Sequence, residues 1–381
     1  MGLDSFAARE RGSLVLSADS RVWQKEARAT LRAILVTARV VVLALTMLPG
    51  RSLAQNSLAA KAPNGDTILL VGTHGGPSLE KARSEPASLL IVDGRRYLID
   101  CGIGTMRRLL DAGVTSETIG TIFITHNHPD HALGLVDVLA NDFFYVHFGV
   151  RDSLRTFNVY GPPQTAALVQ AAYDYIRIPY GIFAAEHLGA STLVDPFQAH
   201  VIDHGGLVYQ DDKIRVMAVE NTHYQLMSAK DRVRMKSYAY RFETPYGDIV
   251  FTGDTGPSRA VEKLAEGAEV LVSEVEDLGS TDVGRARAGT NDRPAGEASA
   301  LAAHMRMEHL PMKDLGEMAS KSRVRAVILH HFVGAGSGER FVAGVKEYFQ
   351  GPVFAGEDLA RYCLGGPGAN GPATHALTPC Q

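Results

Sequence analysis

The sequence predicts an α/β protein with mixed sheets. Short apolar strands alternate with helical stretches from about Thr67 onward, turn residues separate them, and composition does not change along the way. Thr67 to Gly72 reads as a strand entering a glycine turn, His74-Gly75-Gly76-Pro77. Ala87 to Asp100 has the pattern of a hairpin turning at Asp93-Gly94. A helix from Gly104 to Ala112 precedes a buried strand, Thr121 to Thr125, and Ala132 to Leu139 is helical again. Phe157 to Tyr160 is a strand stopped by Gly161-Pro162-Pro163, with a helix following from Gln164 to Tyr175. Strands at 214–220, 236–243 and 248–252 have hairpin spacing, with Pro245-Tyr246-Gly247 as a turn. Helices near 258–266, 296–307 and 312–321 then alternate with strands near 269–273 and 325–329.

Composition narrows the class. The 381 residues carry 38 Lys and Arg against 42 Asp and Glu, a formal net charge of −4. No strongly basic surface is announced, so no nucleic-acid partner is expected. The apolar run Val40 to Leu48 is short for a membrane span and suits a signal peptide. Ser52-Leu53-Ala54 behind it fits a small-x-small cleavage site. Residues 1–54 are therefore expected to be a signal region, with translation starting near residue 36 to account for the long polar stretch before the run. A membrane anchor or a buried helix is the alternative. Residues 55–66 read as a linker, and 358–381 as a Gly/Pro-rich tail bracketed by Cys363 and Cys380. In an oxidising compartment those cysteines could bridge; otherwise they are two thiols in a frayed end. Cys101 is expected to be a small buried residue.

The chemistry concentrates in Thr125-His126-Asn127-His128-Pro129-Asp130-His131, directly after an apolar strand. Histidines at i and i+2 on extended backbone point the same way, so both imidazoles can meet one ion. Asp130 and His131 open the next helix and can face a second ion. Imidazole and carboxylate suit zinc, and also iron or manganese.

This cluster resembles the signature H-x-H-x-D-H of the metallo-β-lactamase superfamily. The resemblance covers roughly residues 67–357 and implies a four-layer αββα sandwich with two mixed β-sheets. It extends to Asn221-Thr222-His223, to Thr252-Gly253-Asp254 and to Leu329-His330-His331, each at the end of a strand. The family's ligand scheme implies two divalent ions. His126, His128 and His223 would hold one, Asp130, His131 and His331 the other, and Asp254 would bridge them. His330 aligns one place early, so His331 is favoured. Tyr97-Leu98-Ile99-Asp100-Cys101-Gly102, Val159 to Pro163 and Leu271 to Glu274 look like the ribonuclease Z and arylsulfatase-like branch. That branch implies that His309 protonates the leaving group, oriented by Glu274, while Asp130 orients or deprotonates the attacking water. Asp100 is expected to support a ligand histidine. His304 faces elsewhere by helical period and is expected to be in solvent.

The resemblance implies a secreted hydrolase that uses a hydroxide shared between the two ions, and the substrates expected are small phosphodiester or aryl sulfate esters. Ribonuclease Z enzymes carry a tRNA-gripping arm between the third histidine and the bridging aspartate, and here only residues 224–253 lie between them. Together with the expected export to the periplasm, this directs the expectation toward a small anionic ester. No membrane span remains after signal cleavage, and a homodimer is allowed. Arg285, Arg287 and Arg293 could grip an anionic group or be ordinary solvated charges. A lactonase or β-lactam hydrolase on the same metals is the alternative enzyme, although classical β-lactamases often place cysteine where Asp254 stands. The redox di-iron branch has an acidic residue where His128 stands, and a binding protein without turnover would not need His309.

Overall fold

The inner strands of this chain carry continuous apolar runs rather than alternation because both their faces are buried. In Ile68 to Val71 successive side chains are fully buried, with alternate residues joining two different cores. The computed structural model describes residues 65–147, 156–186, 194–277, 295–334, 336–365 and 377–380. The expected signal region, the linker up to residue 64, and Arg285, Arg287 and Arg293 lie outside the described residues.

One sheet contains β1 (Asp66–Gly72), β2 (Ala87–Val92), β3 (Arg95–Ile99), β4 (Ile119–Phe123), β5 (Phe157–Gly161) and β6 (Phe197–Val201). The other contains β7 (Gly206–Gln210), β8 (Arg215–Glu220), β9 (Tyr238–Thr244), β10 (Gly247–Phe251), β11 (Val270–Glu276), β12 (Ala326–Val333) and β13 (Val353–Ala355). Near the C-terminus, β14 (Arg361–Leu364) and β15 (Thr378–Cys380) return to the first sheet. The strand orders are β15-β14-β1-β2-β3-β4-β5-β6 and β13-β12-β11-β10-β9-β8-β7. Each sheet is antiparallel in one part and parallel in the other, the change falling at β3/β4 and at β10/β11.

Two mixed sheets with helices outside make the αββα sandwich. Between the sheets lie Ile68, Leu70, Tyr97 and Phe123 from the first and Tyr240, Phe242, Ile249 and Ile328 from the second. Phe123 is the hub: its ring lies 5.2–5.8 Å from those of Tyr160, Tyr209, Tyr240 and Phe242. The outer face of the first sheet is covered by α1 (Thr105–Asp111), α2 (Pro129–Ala132), α3 (Leu135–His147) and α4 (Thr165–Ala185). α5 (Ala229–Arg232) is a single turn. The second sheet is covered by α6 (Arg259–Leu264), α8 (Met312–Lys321) and α9 (Gly338–Lys346); α7 (Ala295–Glu308) leads into the strand-end loops.

Several sequence expectations need correction. The helix drawn at Ala132 to Leu139 is a turn, α2, and then a longer helix, α3. Gly134 sits at the junction, where a Cβ would lie 2.1 Å from the Gly102 carbonyl oxygen, so only glycine permits the approach. The helix begun at Gln164 does not stop at Tyr175 but continues to Ala185 past Pro179. Residues 358–381 are not all tail: β14 pairs antiparallel with β1, and β15 with β14. A Cys363–Cys380 disulfide joins those two strands, and Cys101 is a buried free thiol. Strands β6 and β7 have no counterpart among the strands expected from the sequence. Their burial is mixed, so they carry no apolar run. Among the described residues no helix is long and apolar enough to cross a membrane.

Candidate metal centre

The candidate residues gather where β3, β4, β8, β10, β11 and β12 end, so strands from both sheets feed one site. His126 follows β4, His223 follows β8 and Asp254 follows β10; Glu274 and His331 lie in β11 and β12. The ligand atoms of His126, His128, His223 and Asp254 lie within 4.8 Å of one another, and so do those of Asp130, His131, Asp254 and His331. Asp254 belongs to both groups. Its Oδ2 is 3.8 Å from His126 Nε2, 3.9 Å from His223 Nε2 and 3.2 Å from His331 Nε2, and its Oδ1 is 3.3 Å from His131 Nε2.

Three of the imidazoles, those of His223, His126 and His131, are turned by a partner on the far side. His223 Nδ1 is 2.9 Å from the Glu308 carbonyl oxygen, to which it donates, leaving Nε2 facing inward. His126 Nδ1 contacts Thr125 Oγ1 at 3.1 Å. Asp100 takes the Thr125 backbone N–H at 2.7 Å and the Thr125 hydroxyl at 2.8 Å, and its Oδ2 accepts from His131 Nδ1 at 2.9 Å. Backbone strain sits here too: Asp100 has φ 60° and His331 φ 52°. Left-handed backbone at non-glycine residues costs on the order of 1–3 kcal/mol and collects at functional sites. His330 lies elsewhere, its Nε2 3.4 Å from Ser88 Oγ. The Gly76 N–H donates to Asp130 Oδ2 at 2.9 Å, and a Cβ on Gly76 would lie 2.3 Å from that of Asp130. The glycine turn therefore presses directly on a ligand carboxylate, a contact invisible in the sequence.

The two groups differ electrostatically. Burial holds His126 and His223 well below the ordinary histidine range, so both are neutral imidazoles ready to donate a lone pair. For His131 and His331 the nearby carboxylates, Asp254 first, outweigh burial; His331 is pushed up to about 10. Burial would raise Asp130, but His131 and His331 outweigh it and hold the carboxyl ionised. Buried His126 Nε2, His131 Nε2, His331 Nδ1 and Asp254 Oδ1 have no hydrogen-bond partner. Such atoms are costly unless something else satisfies them, and converging imidazoles and carboxylates are the donor set of divalent cations. The residues fit a pair of such ions.

Beside this set lies a third group, Asp254, Glu274 and His309. His309 Nδ1 is 2.6 Å from Glu274 Oε2, and the other Glu274 oxygen accepts the Thr255 N–H. Burial alone would lower His309, but the Glu274 carboxylate outweighs it and pushes the imidazole up to about 9. His304, expected in solvent, is at the mouth of the site. Its Nδ1 is 2.6 Å from Glu308 Oε2 and its Nε2 is 3.3 Å from His309 Nε2. Helical period alone does not place His304, because α7 ends at the site and its last turn brings His304 beside His309 and His223. The spacing His304 to Glu308, one helical turn apart just before His309, was the available signal.

The family model for the beta-lactamase superfamily domain matches residues 95–332. The chain belongs to the metallo-β-lactamase superfamily. It is a hydrolase of that superfamily, whose fold typically binds two metal ions, and the His/Asp groups above supply their place. Ribonuclease Z of Mycobacterium avium is 28% identical over 308 residues, covering 79% of this chain and 99% of that relative. The metallo-beta-lactamase fold protein YhfI from Bacillus subtilis superposes with a TM-score of 0.56 at 15% identity, over 79% of this chain and 99% of that one. The short form of human tRNase Z does so with a TM-score of 0.50 at 20% identity, over 77% of this chain and 98% of its own. The expectation that no nucleic acid is involved is overturned by the ribonuclease Z relatives. Its physical fault is that net charge is a sum over the whole chain. At a two-cation site the ions themselves are the largest local positive charge, and the sum leaves them out.

Proposed function

We propose that this protein is a binuclear metal-dependent phosphodiesterase whose substrates include RNA, and that zinc is the cation its imidazole-rich donor set suits best. The observation that carries the reading is the buried Glu274–His309 pair set against Asp254. A phosphodiester departs as a basic alkoxide and needs a proton as the bond breaks. With Nδ1–H given to Glu274, protonated His309 presents Nε2–H toward the site. Glu274, fixed by the Thr255 N–H, holds the ring in that orientation. Asp130, kept ionised by its histidine neighbours, accepts a hydrogen bond or proton from the attacking water. Divalent cations bound by the two ligand groups would supply Lewis acidity toward the phosphoryl oxygens and lower the pKa of water. The relatives named ribonuclease Z support RNA as the first substrate to try.

A second reading keeps this chemistry and turns it on small phosphodiesters or aryl sulfates in an exported protein. The Cys363–Cys380 bridge favours it, since such bonds persist in oxidising compartments. So does the stretch between His223 and Asp254, which folds as α5 and the β9–β10 hairpin with no long arm.

The test is a substrate panel on purified protein of measured metal content: bis(p-nitrophenyl) phosphate, p-nitrophenyl sulfate, a γ-lactone and an RNA with a 3′ extension. Turnover of the phosphodiesters, lost on chelation, is expected. Lactone opening without phosphodiester turnover would overturn the reading.

A further inference from the structure

His304 is held as His309 is held. Glu308 Oε2 takes His304 Nδ1 at 2.6 Å, just as Glu274 Oε2 takes His309 Nδ1 at 2.6 Å. Glu308 is itself fixed from two further sides. Its Oε1 accepts the Leu226 N–H at 2.7 Å, and its carbonyl oxygen accepts from His223 Nδ1. The two imidazoles thus meet tip to tip, Nε2 to Nε2 at 3.3 Å, with their rings at 90°. The His304 ring stands 5.5 Å from that of His223 and 6.3 Å from that of His128, so it flanks the first ligand group. Its side chain is 29% exposed against 7% for His309, which puts it on the solvent side.

A carboxylate on Nδ1 fixes the tautomer: neutral His304 carries its proton on Nδ1 and shows a lone pair at Nε2. His309 shows an N–H at the adjacent point. Once their mutual contact opens, the pair offers a donor and an acceptor about 3 Å apart, the complement of two neighbouring oxygens of which one needs a proton and the other has one to give. Resting on the phosphodiesterase reading above, we propose that His304 is a specificity-determining residue. It accepts a hydrogen bond from a hydroxyl vicinal to the departing oxygen, so the preferred leaving group is a vicinal diol such as the 3′ end of a ribonucleotide. In the cleavage step the phosphorus–O3′ bond breaks, its electron pair stays on O3′, and O3′ takes the His309 proton. Water supplies the new phosphorus–oxygen bond and loses one proton to Asp130, which balances the proton that His309 gives to O3′. The 2′ hydroxyl keeps its proton and donates it only as a hydrogen bond to His304 Nε2. Without substrate, His304 Nε2 accepts from His309 instead, which keeps the proton donor aimed at the same point.

The test compares metal-loaded wild type with His304→Ala and His304→Gln on two dinucleotides that differ only by a 2′ hydroxyl on the leaving nucleoside, with bis(p-nitrophenyl) phosphate as reference. Wild type is expected to favour the ribo substrate in kcat/KM on the order of tenfold, the worth of one hydrogen bond. The ratio should fall to near unity in His304→Ala and recover in part in His304→Gln, whose amide oxygen can accept. A structural role would lower both substrates together and leave the ratio unmoved. A wild-type ratio near unity, a ratio that survives His304→Ala, or turnover of the nitrophenyl ester with neither dinucleotide would overturn the inference alone. Absence of turnover on all three would instead remove the phosphodiesterase reading beneath it.

Discussion

Phe123 closes β4 and His126 follows it almost at once, yet the two belong to opposite kinds of interior. Phe123 sits among aromatic rings between the sheets, where every neighbour gains by excluding water. His126 sits equally buried among imidazoles and carboxylates, with Nε2 unpartnered and the Asp100 and His331 backbones strained nearby. The core contributes stability, and the strand ends draw on it to hold groups that would not stay together in water. Stability and function are therefore written in adjacent residues but in different interactions, and mutations should separate them.

The largest effect falls on Asp254, the one residue shared by all three ligand groups. Asp254→Ala should reduce phosphodiester turnover to background and deplete bound metal, read by elemental analysis, while the chain stays folded. Phe123→Ala should do the reverse. It removes the hub of the inter-sheet core at a cost of about 3–5 kcal/mol, seen in denaturant unfolding, with metal stoichiometry unchanged in whatever remains folded. His309→Ala should retain both metal and fold and lower kcat by roughly 10²- to 10⁴-fold on esters with alkoxide leaving groups. A nitrophenyl ester, whose leaving group needs little help, should lose less. Asp100→Asn should weaken metal binding by roughly 10- to 100-fold through His131, read by competition with a chelator.

The smallest effect probes a buried acid with no part in the site. Asp66, bonded to the Thr244 hydroxyl, is pushed up to about 7 by burial. From about pH 4, where an unfolded aspartate titrates, up to about pH 7, the folded chain binds the extra proton. Its stability from this residue therefore falls as pH rises through that window. Asp66→Asn should flatten that slope in thermal melts taken from pH 4 to 8, without touching turnover.

Much of this division is legible in the sequence. Apolar runs located the central strands because burial of both faces leaves no alternation to misread. The ligand histidines stood out because polar residues at the ends of such runs are costly without a partner. Strands β6 and β7, only partly buried, left no comparable trace. β14 and β15 were hidden by a Gly/Pro-rich setting that resembles a tail. The contact of Gly76 with Asp130 and the meeting of His304 with His309 depend on where loops and helix ends arrive, which no local period encodes. Nucleic acid was wrongly set aside for a similar reason: net charge averages over surface that the substrate never meets.

The central claim is that two cations, held by groups sharing Asp254, make this site a phosphodiesterase. It is tested most directly by adding zinc to metal-free protein while following bis(p-nitrophenyl) phosphate hydrolysis. Activity is expected to rise until two equivalents are bound and to plateau there. Full activity in metal-free protein, or a plateau at one equivalent, would contradict it.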